Sequence, residues 1–215
     1  MARTLPLMDG MSTIHRARRY SCAVALFVAL TASLPAAASP ERGSAGGPDI
    51  SAIRIDNFAR VDSSLYRGAQ PEGRDFADLQ AIGVKTIVNL TSDDAIANEQ
   101  ALTEAAGMTY VQIPMTTRTN PTAAQLEQFL GIVNDPARQP VYVHCVGGRH
   151  RTGVMTAVYR ITHDGWTGER AFAEMKQYKF GADFLHPEFK AFVQAYHAMP
   201  AATATATVAT TKIGG

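Results

Sequence analysis

Apolar and polar positions in the middle of the chain follow two spacings in turn, one typical of helices and one typical of buried strands. Apolar residues recur at helical spacing from 76 to 82 and stop at Gly83, and a run rich in β-branched residues follows from 84 to 90. Residues 95–106 are good helix formers that end at a glycine, and residues 108–113 have strand character. The pattern therefore predicts two helix–strand units in succession.

The same alternation continues into the second half of the chain and then gives way to helices. Thr122 and Gln125 stand at the spacing of a capping box ahead of an amphipathic helix, and residues 141–143 form a short apolar strand. Three helices are expected afterwards, over 152–163, from Thr167 to 178, and from Pro187 to about 198. Strands that alternate with helices predict an α/β fold, here with a helical C-terminal third.

The first 38 residues have a different pattern, in which basic residues precede an apolar run and small residues follow it. Basic residues between 15 and 19 come before the apolar run 21–34, and Ala36 and Ala38 suit a cleavage site. The run is shorter than the roughly 20 residues that span a bilayer. We therefore expect residues 1–38 to be a cleaved signal peptide and the mature protein to be exported, to the periplasm or the exterior, without stable membrane insertion. An uncleaved anchor is the alternative.

Low-complexity segments flank the region of alternating elements. Residues 39–49 are rich in Ser, Gly and Pro and predict a flexible leader, and the Ala- and Thr-rich residues 200–215 predict a disordered tail. We expect one folded domain over residues 50–199, because 215 residues with 46% hydrophobic content suffice for one proper core.

Charge and cysteine content narrow the classes of function. The 20 Lys and Arg nearly cancel the 19 Asp and Glu, so the chain has no overall field that would recruit nucleic acid or an anionic membrane. Any recognition of an anion must then be local. Of the two cysteines, Cys22 lies in the segment expected to be removed, which leaves Cys145 without an intramolecular disulfide partner. A buried apolar role, an intermolecular disulfide and a reactive thiol remain open for it.

The strongest chemical signal is the stretch from His144 to Gly153, which joins the predicted strand 141–143 to the next helix. A loop of successive backbone amides that leads into a helix start presents unpaired N–H groups to an anion, and its glycines permit that path. Comparable surroundings lower a cysteine pKa from about 8.5 to roughly 3.5–7.5. We therefore expect Cys145 to be a thiolate nucleophile on a phosphate-binding loop.

The expected roles of the residues near Cys145 follow from their spacing from it along the chain. Arg151 is six positions later, where its guanidinium can close the loop around a tetrahedral anion with two parallel hydrogen bonds. Thr152 can donate its hydroxyl to the sulfur and help it to leave, and His144 is expected to orient the loop through backbone hydrogen bonds. The expected substrate-binding residues are Val146, Gly147, Gly148, Arg149 and His150.

The stretch resembles the signature of the protein tyrosine and dual-specificity phosphatases, which is His-Cys, five residues, Arg, Ser or Thr, and Gly. Residues 65–71 and 113–115 also resemble the small bacterial dual-specificity-type phosphatases, and residues 149–153 resemble an atypical plant and fungal group that acts on inositol pyrophosphates. The resemblance implies a phosphatase catalytic domain with a four- to five-stranded, mostly parallel central sheet flanked by helices. It also implies a covalent phosphocysteine intermediate and no metal or cofactor.

One position of the family pattern is missing. The family usually supplies an aspartic general acid from a loop well before the cysteine, and residues 115–121 here contain no carboxylate. Asp93 and Asp94 are the candidates to replace it, and a water molecule or the acidity of the substrate itself are the alternatives. The absence of a general acid lowers the reaction rate by about 100- to 10,000-fold for alkoxide leaving groups and by much less for phenols or phosphoanhydrides. Good leaving groups are therefore favoured.

The resemblance predicts a cysteine-dependent phosphatase whose substrate is a phosphorylated protein, at tyrosine, serine or threonine, or a small anionic phosphate. A phosphate-binding protein without catalysis, which the missing acid would suit, and an inositol (pyro)phosphate phosphatase are the alternatives. A sulfurtransferase is the least favoured, because five residues between Cys145 and Arg151 size the loop for tetrahedral phosphate. Structural or solvent-facing roles are favoured for Arg67 and Arg118.

Overall fold

The computed structural model describes residues 48–92 and 94–197. The predicted signal peptide, nearly all of the predicted leader and the predicted C-terminal tail lie outside the described residues, as does Asp93. The predicted domain bounds of 50 and 199 therefore remain predictions. Within the described residues, no helix combines the length and the apolar character needed to cross a membrane.

The described residues form one five-stranded sheet. Its strands are β1 (Ala59–Arg60), β2 (Leu65–Gly68), β3 (Thr86–Asn89), β4 (Thr109–Gln112) and β5 (Val141–His144). Their order in the sheet is β1-β2-β5-β3-β4, and β1 is antiparallel to β2 whereas the other pairings are parallel. The predicted sheet of four to five mostly parallel strands is confirmed.

Six α-helices and one short 3₁₀ turn accompany the sheet within the described residues. They are α1 (Asp75–Ala81), α2 (Glu99–Ala105), α3 (Ala123–Val133), α4 (Arg151–His163), α5 (Gly168–Gln177) and α6 (Pro187–Ala195), with the 3₁₀ turn at Asp183–Leu185. Helices α4, α5 and α6 form the helical C-terminal third that the sequence predicts. The α/β fold class is thereby confirmed.

Local side-chain signals decide where α3 begins, as the sequence predicts. The Thr122 hydroxyl accepts from the backbone N–H of Gln125 at 3.3 Å, and the Gln125 side chain accepts from the backbone N–H of Thr122 at 2.7 Å. The Gln125 amide also donates to the Pro114 carbonyl at 2.6 Å, which ties the helix start to the chain that leaves β4. Thr167 caps α5 through its hydroxyl.

Helix α2 begins later than its sequence pattern predicts, at Glu99 instead of residue 95. Residues 95–98 form turns and irregular backbone. The Glu99 side chain is buried, and it is bound by Asn89 and His144 at the carboxyl ends of two neighbouring strands. The start of α2 therefore coincides with the tertiary contacts of Glu99 and not with the start of the stretch of good helix formers.

Strand residues alternate between two apolar cores, one on each face of the sheet. One core contains Ile87 and Tyr142 packed with Phe76 and Leu79 of α1. The other contains Val88, Val143 and Cys145 packed with Phe129 of α3 and with Met155 and Tyr159 of α4. The alternation therefore places Cys145, two residues after Val143, on the face covered by α3 and α4.

Strand β2 is an element that the apolar pattern does not predict. It lies inside the sheet, with Gly68 opposite His144 of β5, and all four of its residues are buried. A strand of four residues that contains Arg67 and a glycine lacks both the apolar run and the alternation that indicate strands. Its carboxyl end lies beside those of β3 and β5, at the edge where ligands bind in open α/β sheets.

Candidate active site

Residues 145–150, the Cys145 loop, join the carboxyl end of β5 to the start of α4. The carbonyl oxygens of Val146, Gly147 and Gly148 are each bound by a group outside the loop. The donors, in that order, are the backbone N–H of Gln70 at 3.1 Å, Nδ2 of Asn57 at 2.7 Å and Nη2 of Arg67 at 2.7 Å. These three bonds hold the carbonyls away from the space that the loop surrounds.

The N–H groups of the Cys145 loop face the opposite way, because the N–H and C=O of one peptide plane point in opposite directions. Within the described chain, none of the N–H groups of residues 146–150 donates to a main-chain carbonyl. Helix α4 begins directly afterwards at Arg151, so its first unpaired N–H groups adjoin the same space. The loop and the helix start together form a binding site for one tetrahedral anion.

Gly148 permits the turn that this arrangement needs. Its φ is +63°, in the left-handed region, and a Cβ at this position would lie 2.4 Å from the carbonyl carbon of Gly68. The contact brings the loop, which follows β5, against the end of β2. These two strands pair with Gly68 opposite His144. A side chain here would have to displace backbone, so we expect that only glycine fits.

Cys145 lies at the base of the anion site and is 3% exposed. Burial alone would raise the pKa of its thiol, but hydrogen bonds from the hydroxyl and amide of Thr152, the charge of Arg151 and the Arg149 amide outweigh burial and lower the pKa. Apart from Cys145, the Thr152 hydroxyl has no hydrogen-bond partner among the described residues, so it is available to the sulfur. The thiolate is therefore favoured over a wider pH range than in an ordinary cysteine.

The Arg151 guanidinium is bound on both terminal nitrogens by the Asp94 carboxylate, at 2.9 and 2.6 Å. Its Nη1 also donates to the Met115 carbonyl at 3.1 Å. The Arg151 side chain is 4% exposed and that of Asp94 is 40% exposed. Two parallel N–H···O bonds are also what an arginine makes with a phosphate, so Asp94 engages the donors expected to clamp the substrate.

The two candidates for the general acid differ, because the structure describes Asp94 but not Asp93. Asp93 lies outside the described residues. Asp94 reaches the site, but the hydrogen bonds from Arg151 lower its pKa and outweigh burial, which acts in the opposite direction. An ionised Asp94 paired with Arg151 has no proton to give, so it can act as an acid only after the pair separates.

His144 contacts a buried carboxylate, whereas the sequence led us to expect backbone hydrogen bonds. Its Nε2 lies 2.7 Å from Oε1 of Glu99, and Asn89 Nδ2 donates to the other Glu99 oxygen at 2.5 Å. Asn89 also accepts from the N–H and the hydroxyl of Thr91, at 2.7 and 2.6 Å. The side chain of His144 therefore joins β5 to β3 and α2 directly beneath the Cys145 loop.

The remaining residues expected to bind substrate are divided between the rim and the interior. Val146 is 48% exposed at the rim. Arg149 is also exposed, and its guanidinium lies 3.7 Å from Asp56, which Lys179 binds as well. His150 turns away from the anion site, because its Nε2 lies 3.0 Å from the carbonyl oxygen of Phe180.

The ring of His150 packs against His186, with 4.0 Å between the centroids. Burial and the neighbouring His186 lower the pKa of His150, which favours the neutral ring. His150 thus fastens the loop to the C-terminal helices through its side chain, which leaves its backbone N–H as the group available to an anion. Its expected substrate contact is limited to that N–H, as for Gly147 and Gly148.

Sequence reasoning missed the groups that hold the loop in shape. Asn57 carries no local signal, Glu99 looks like an ordinary first-turn helix residue, and Arg67 looks like a surface arginine. Arg67 and Gln70 lie in the segment 65–71, which resembles the small bacterial dual-specificity-type phosphatases. That resemblance is the sequence feature that points to these two residues. Their partners are more than 70 residues later in the chain.

One cluster of potential metal ligands lies elsewhere, where Asp62, His163 and Asp164 bring one ligand atom each within 4.8 Å of one another. Asp62 already accepts from the Tyr159 hydroxyl at 2.6 Å, and Asp164 accepts from Arg160 at 2.7 Å. The cluster lies at the far end of α4 from the Cys145 loop. Its oxygens have structural partners, so we assign it no role in the site.

A buried cysteine on such a loop, at the carboxyl edge of a mostly parallel sheet and with an arginine that closes the loop, defines the class of cysteine-based phosphatases. A family model described as a DSP-PTPase phosphatase fused to NAD+ kinase matches residues 52–192. The chain belongs to this family of dual-specificity-type phosphatase domains.

Curated relatives of the chain carry phosphatase names. The dual specificity protein phosphatase TpbA of Pseudomonas aeruginosa is 31% identical over 138 residues, which are 64% of this chain and 62% of TpbA. The inositol diphosphatase SIW14 of Saccharomyces cerevisiae is 27% identical over 133 residues, which are 60% of this chain and 47% of SIW14. The chain therefore spans less than two thirds of the length of either relative.

Solved structures share the fold. The crystal structure of P. aeruginosa TpbA has a TM-score of 0.56 and 28% sequence identity, and the match covers 68% of this chain and 92% of that one. A cysteine-to-serine variant of TpbA in complex with phosphotyrosine matches with the same TM-score and coverage at 27% identity.

Proposed function

We propose that the protein hydrolyses phosphomonoesters through a phosphocysteine intermediate on Cys145. The observation that carries the proposal is the geometry of the Cys145 loop. A thiol of lowered pKa lies there beside the Arg151 guanidinium, among backbone N–H groups that donate to no main-chain carbonyl of the described residues. Membership of a phosphatase family supports it. The reaction class is therefore phosphoryl transfer to sulfur and then to water.

In the first step, the Cys145 thiolate attacks phosphorus and the bond from phosphorus to the ester oxygen breaks. The loop N–H groups and Arg151 bind the three remaining oxygens, on which negative charge is spread in the transition state. Arg151 must exchange Asp94 for the phosphate before this step, because both bind the same two nitrogens. The leaving oxygen departs with the bonding electrons and takes up a proton.

In the second step, water attacks the phosphocysteine, the phosphorus–sulfur bond breaks and inorganic phosphate forms. The sulfur leaves as a thiolate, which the Thr152 hydroxyl and the loop N–H groups stabilise by hydrogen bonding. The proton lost by water goes to a base or to solvent, and the enzyme returns to its starting state.

Asp94 is our proposed proton source for the first step. Once phosphate takes its place on Arg151, Asp94 loses the hydrogen bonds that lower its pKa. It then lies beside a phosphate dianion, and a neighbouring like charge favours the protonated form of a carboxyl group. Both changes prepare it to protonate the leaving oxygen.

We propose a phosphorylated protein side chain as the substrate, with phosphotyrosine first. A groove of about 350 Å³ beside the Cys145 loop includes apolar side chains of Ile55, Ala69, Ile96 and Val146. These side chains suit an aromatic ring attached to the bound phosphate. The complex of the TpbA variant with phosphotyrosine supports the same choice.

An inositol pyrophosphate is the second candidate substrate. SIW14, an inositol diphosphatase, is a relative, and a phosphoanhydride needs little help from an acid, which suits the absence of a carboxylate from residues 115–121. The groove opposes this candidate, because its four acidic lining residues outnumber its one cation, Arg54, and would repel further phosphates. Initial rates on a phosphotyrosyl peptide and on an inositol pyrophosphate, at equal concentration, separate the two.

Replacement of Cys145 with Ser tests the proposed reaction. We expect turnover of p-nitrophenyl phosphate to fall by at least about a thousandfold, because a serine hydroxyl is not ionised at neutral pH. In the full-length chain, with residues 1–38 attached, Cys22→Ser is the matched control, and it should retain wild-type turnover. Circular dichroism should show the same fold in both variants.

Undiminished turnover in Cys145→Ser would contradict the covalent mechanism. A protein that binds inorganic phosphate tightly but shows no vanadate-sensitive hydrolysis of any aryl phosphate would instead be a phosphate-binding protein. Measurement of both properties on the full chain decides between these functions.

We also propose that the protein is exported. The basic residues, the apolar run and the small residues that precede residue 39 support this proposal. Expression in a bacterial host, followed by cell fractionation and by mass measurement of the mature N-terminus, tests it. A chain that stays in the cytoplasm with residues 1–38 attached would contradict it.

A further inference from the structure

Arg67 is a buried cation without a counter-ion. Its side chain is 1% exposed, and its Nε and Nη1 have no hydrogen-bond partner within the described residues. Arginine remains protonated inside proteins, and an unpaired buried charge is costly unless something nearby compensates it. The fold therefore maintains a positive charge at this position that its structural bonds do not explain.

The sheet places Arg67 on the same face as the nucleophile. Arg67 lies opposite Val143 in the parallel pairing of β2 with β5. Side chains alternate along a strand, so Arg67, Val143 and Cys145 project to one side of the sheet. The arginine thus lies behind the Cys145 loop, on the side away from solvent.

The contacts of Arg67 tie it to the loop and to α5. Its Nη2 donates to the Gly148 carbonyl at 2.7 Å, and its guanidinium lies 4.0 Å from the ring centroid of Tyr178. Glu174 is the acidic residue whose charge acts on it most, but the oxygens of Glu174 are held by Arg160 at 2.9 to 3.4 Å. No carboxylate of the described residues therefore forms an ion pair with Arg67.

Other charged and titratable groups near the thiol come from several elements. They are Arg151 of α4 with its partner Asp94, the Glu99 and His144 pair, Arg149 of the loop, Tyr142 of β5, and Glu174 and Tyr178 at α5. Asp94 and Glu174 are each bound by another arginine, and His144 is bound to Glu99. Arg67 is the cation in this set that has no acidic partner.

We infer that Arg67 is a positioning residue for the proposed reaction, a fixed cation that holds the Gly148 carbonyl outward and favours the ionised form of Cys145 and the bound phosphate. The inference rests on Cys145 as the nucleophile of the proposed function. Its test measures the thiol directly, so it can fail even where turnover is observed.

The experiment measures the rate at which iodoacetamide alkylates Cys145 as a function of pH, with the modified peptide identified by mass spectrometry so that Cys22 does not interfere. Arg67→Met removes the charge and keeps the length of the side chain. We expect the midpoint pH to rise by about one unit, which is the effect of one unit charge at moderate distance in a protein interior. The inhibition constant of inorganic phosphate should rise as well.

Arg67→Lys keeps a positive charge and loses the planar guanidinium. We expect its midpoint to stay within a few tenths of a pH unit of the wild type, while phosphate inhibition weakens, because a lysine cannot reproduce the bond to Gly148 with the same geometry. Arg170→Met is the matched control. It also removes an arginine that lies over an aromatic ring, Trp166 at 3.8 Å, and should leave the midpoint unchanged.

A wild-type midpoint in a folded Arg67→Met protein would overturn the inference. If Arg67→Met does not fold, the Lys variant decides, since a midpoint raised by a full unit despite the retained charge would also overturn it. A midpoint that rises equally in Arg170→Met would show a general effect of destabilisation and would overturn it too.

Discussion

Asp94 and Arg151 form the residue pair that controls access to the anion site. The guanidinium has two terminal nitrogens, and the carboxylate binds both of them in the geometry that a phosphate would use. The carboxylate is partly exposed, so the pair contributes little to stability and can be exchanged readily. Substrate binding and the release of Asp94 are therefore one event.

Asp94→Asn should affect binding and chemistry in opposite directions. Inorganic phosphate should bind about 1.4- to fivefold more tightly, because a partly exposed ion pair worth about 0.2–1 kcal/mol no longer competes for Arg151. The kcat for an alkyl phosphate should fall, since an amide cannot donate the proton. Inhibition by phosphate and kcat on aryl and alkyl phosphates measure the two effects.

Asp78→Asn is the control for this experiment, since Asp78 forms a comparable pair with Arg74 on the surface of α1. It should change neither phosphate inhibition nor kcat. An Asp94→Asn protein with wild-type phosphate affinity would show that the carboxylate does not compete. Equal losses on aryl and alkyl phosphates would show that it is not the acid.

Between elements, the close approach of the Cys145 loop to the end of β2 depends on Gly148. Gly148→Ala places a Cβ 2.4 Å from the Gly68 carbonyl carbon at a φ of +63°. We expect a loss of about 1–3 kcal/mol in the free energy of unfolding and of most phosphate binding, because the loop must move. Urea unfolding and phosphate inhibition measure these changes.

Gly131→Ala is the matched substitution in α3. A Cβ there would meet nothing within 4 Å, and the residue is helical. We expect it to raise the free energy of unfolding by about 0.4–1 kcal/mol and to leave phosphate binding unchanged. A Gly148→Ala protein that behaves like Gly131→Ala would refute the packing argument.

Elements with strong local signals were predictable from the sequence, and elements defined by distant partners were not. Helices α3 and α5 have capping residues, and β3 and β5 have apolar runs, so local sequence specifies them. Strand β2 contains a buried arginine whose partner lies 81 residues later, and the start of α2 coincides with a carboxylate bound across two strands. The sequence next to β2 and next to the start of α2 has no pattern that predicts these distant contacts.

The features of the candidate site also divide into those that local sequence predicts and those that depend on distant contacts. Cys145, Arg151 and Thr152 lie in one short stretch of chain, so their relation to an anion could be inferred from spacing alone. The pairing of Asp94 with Arg151 and the contact of His150 with Phe180 join residues 57 and 30 positions apart. Spacing does not predict such contacts, because the fold decides them.

For the whole molecule, the thiol couples the stability of the fold to pH. The pKa of Cys145 is lowered in the folded state, and an unfolded cysteine has a pKa of about 8.5. Between these two values the unfolded chain binds more protons, so the free energy of unfolding rises with pH through this group. Its contribution is complete above the unfolded pKa and is lost as pH falls through the folded pKa.

Wild type and Cys145→Ser should therefore differ in stability by an amount that depends on pH. The advantage of the wild type should grow as pH rises towards about 8.5, the pKa of an unfolded thiol, and should then stay constant. Urea unfolding as a function of pH measures it on the full-length chain, with Cys22→Ser as the control that should follow the wild type. A difference that does not vary with pH would mean that the folded thiol titrates normally.

The three groups that bind the carbonyls of the Cys145 loop all lie between residues 57 and 70, and the bonds of Asn57 and Arg67 span 90 and 81 residues. Contacts of such long range form late, after most of the chain is available. A fragment that lacks the first strands would therefore contain the whole cysteine motif without the shaped loop around it. Completion of the fold is thus a requirement for phosphate binding, and the reactive cysteine gains its substrate site only when both ends of the domain have met.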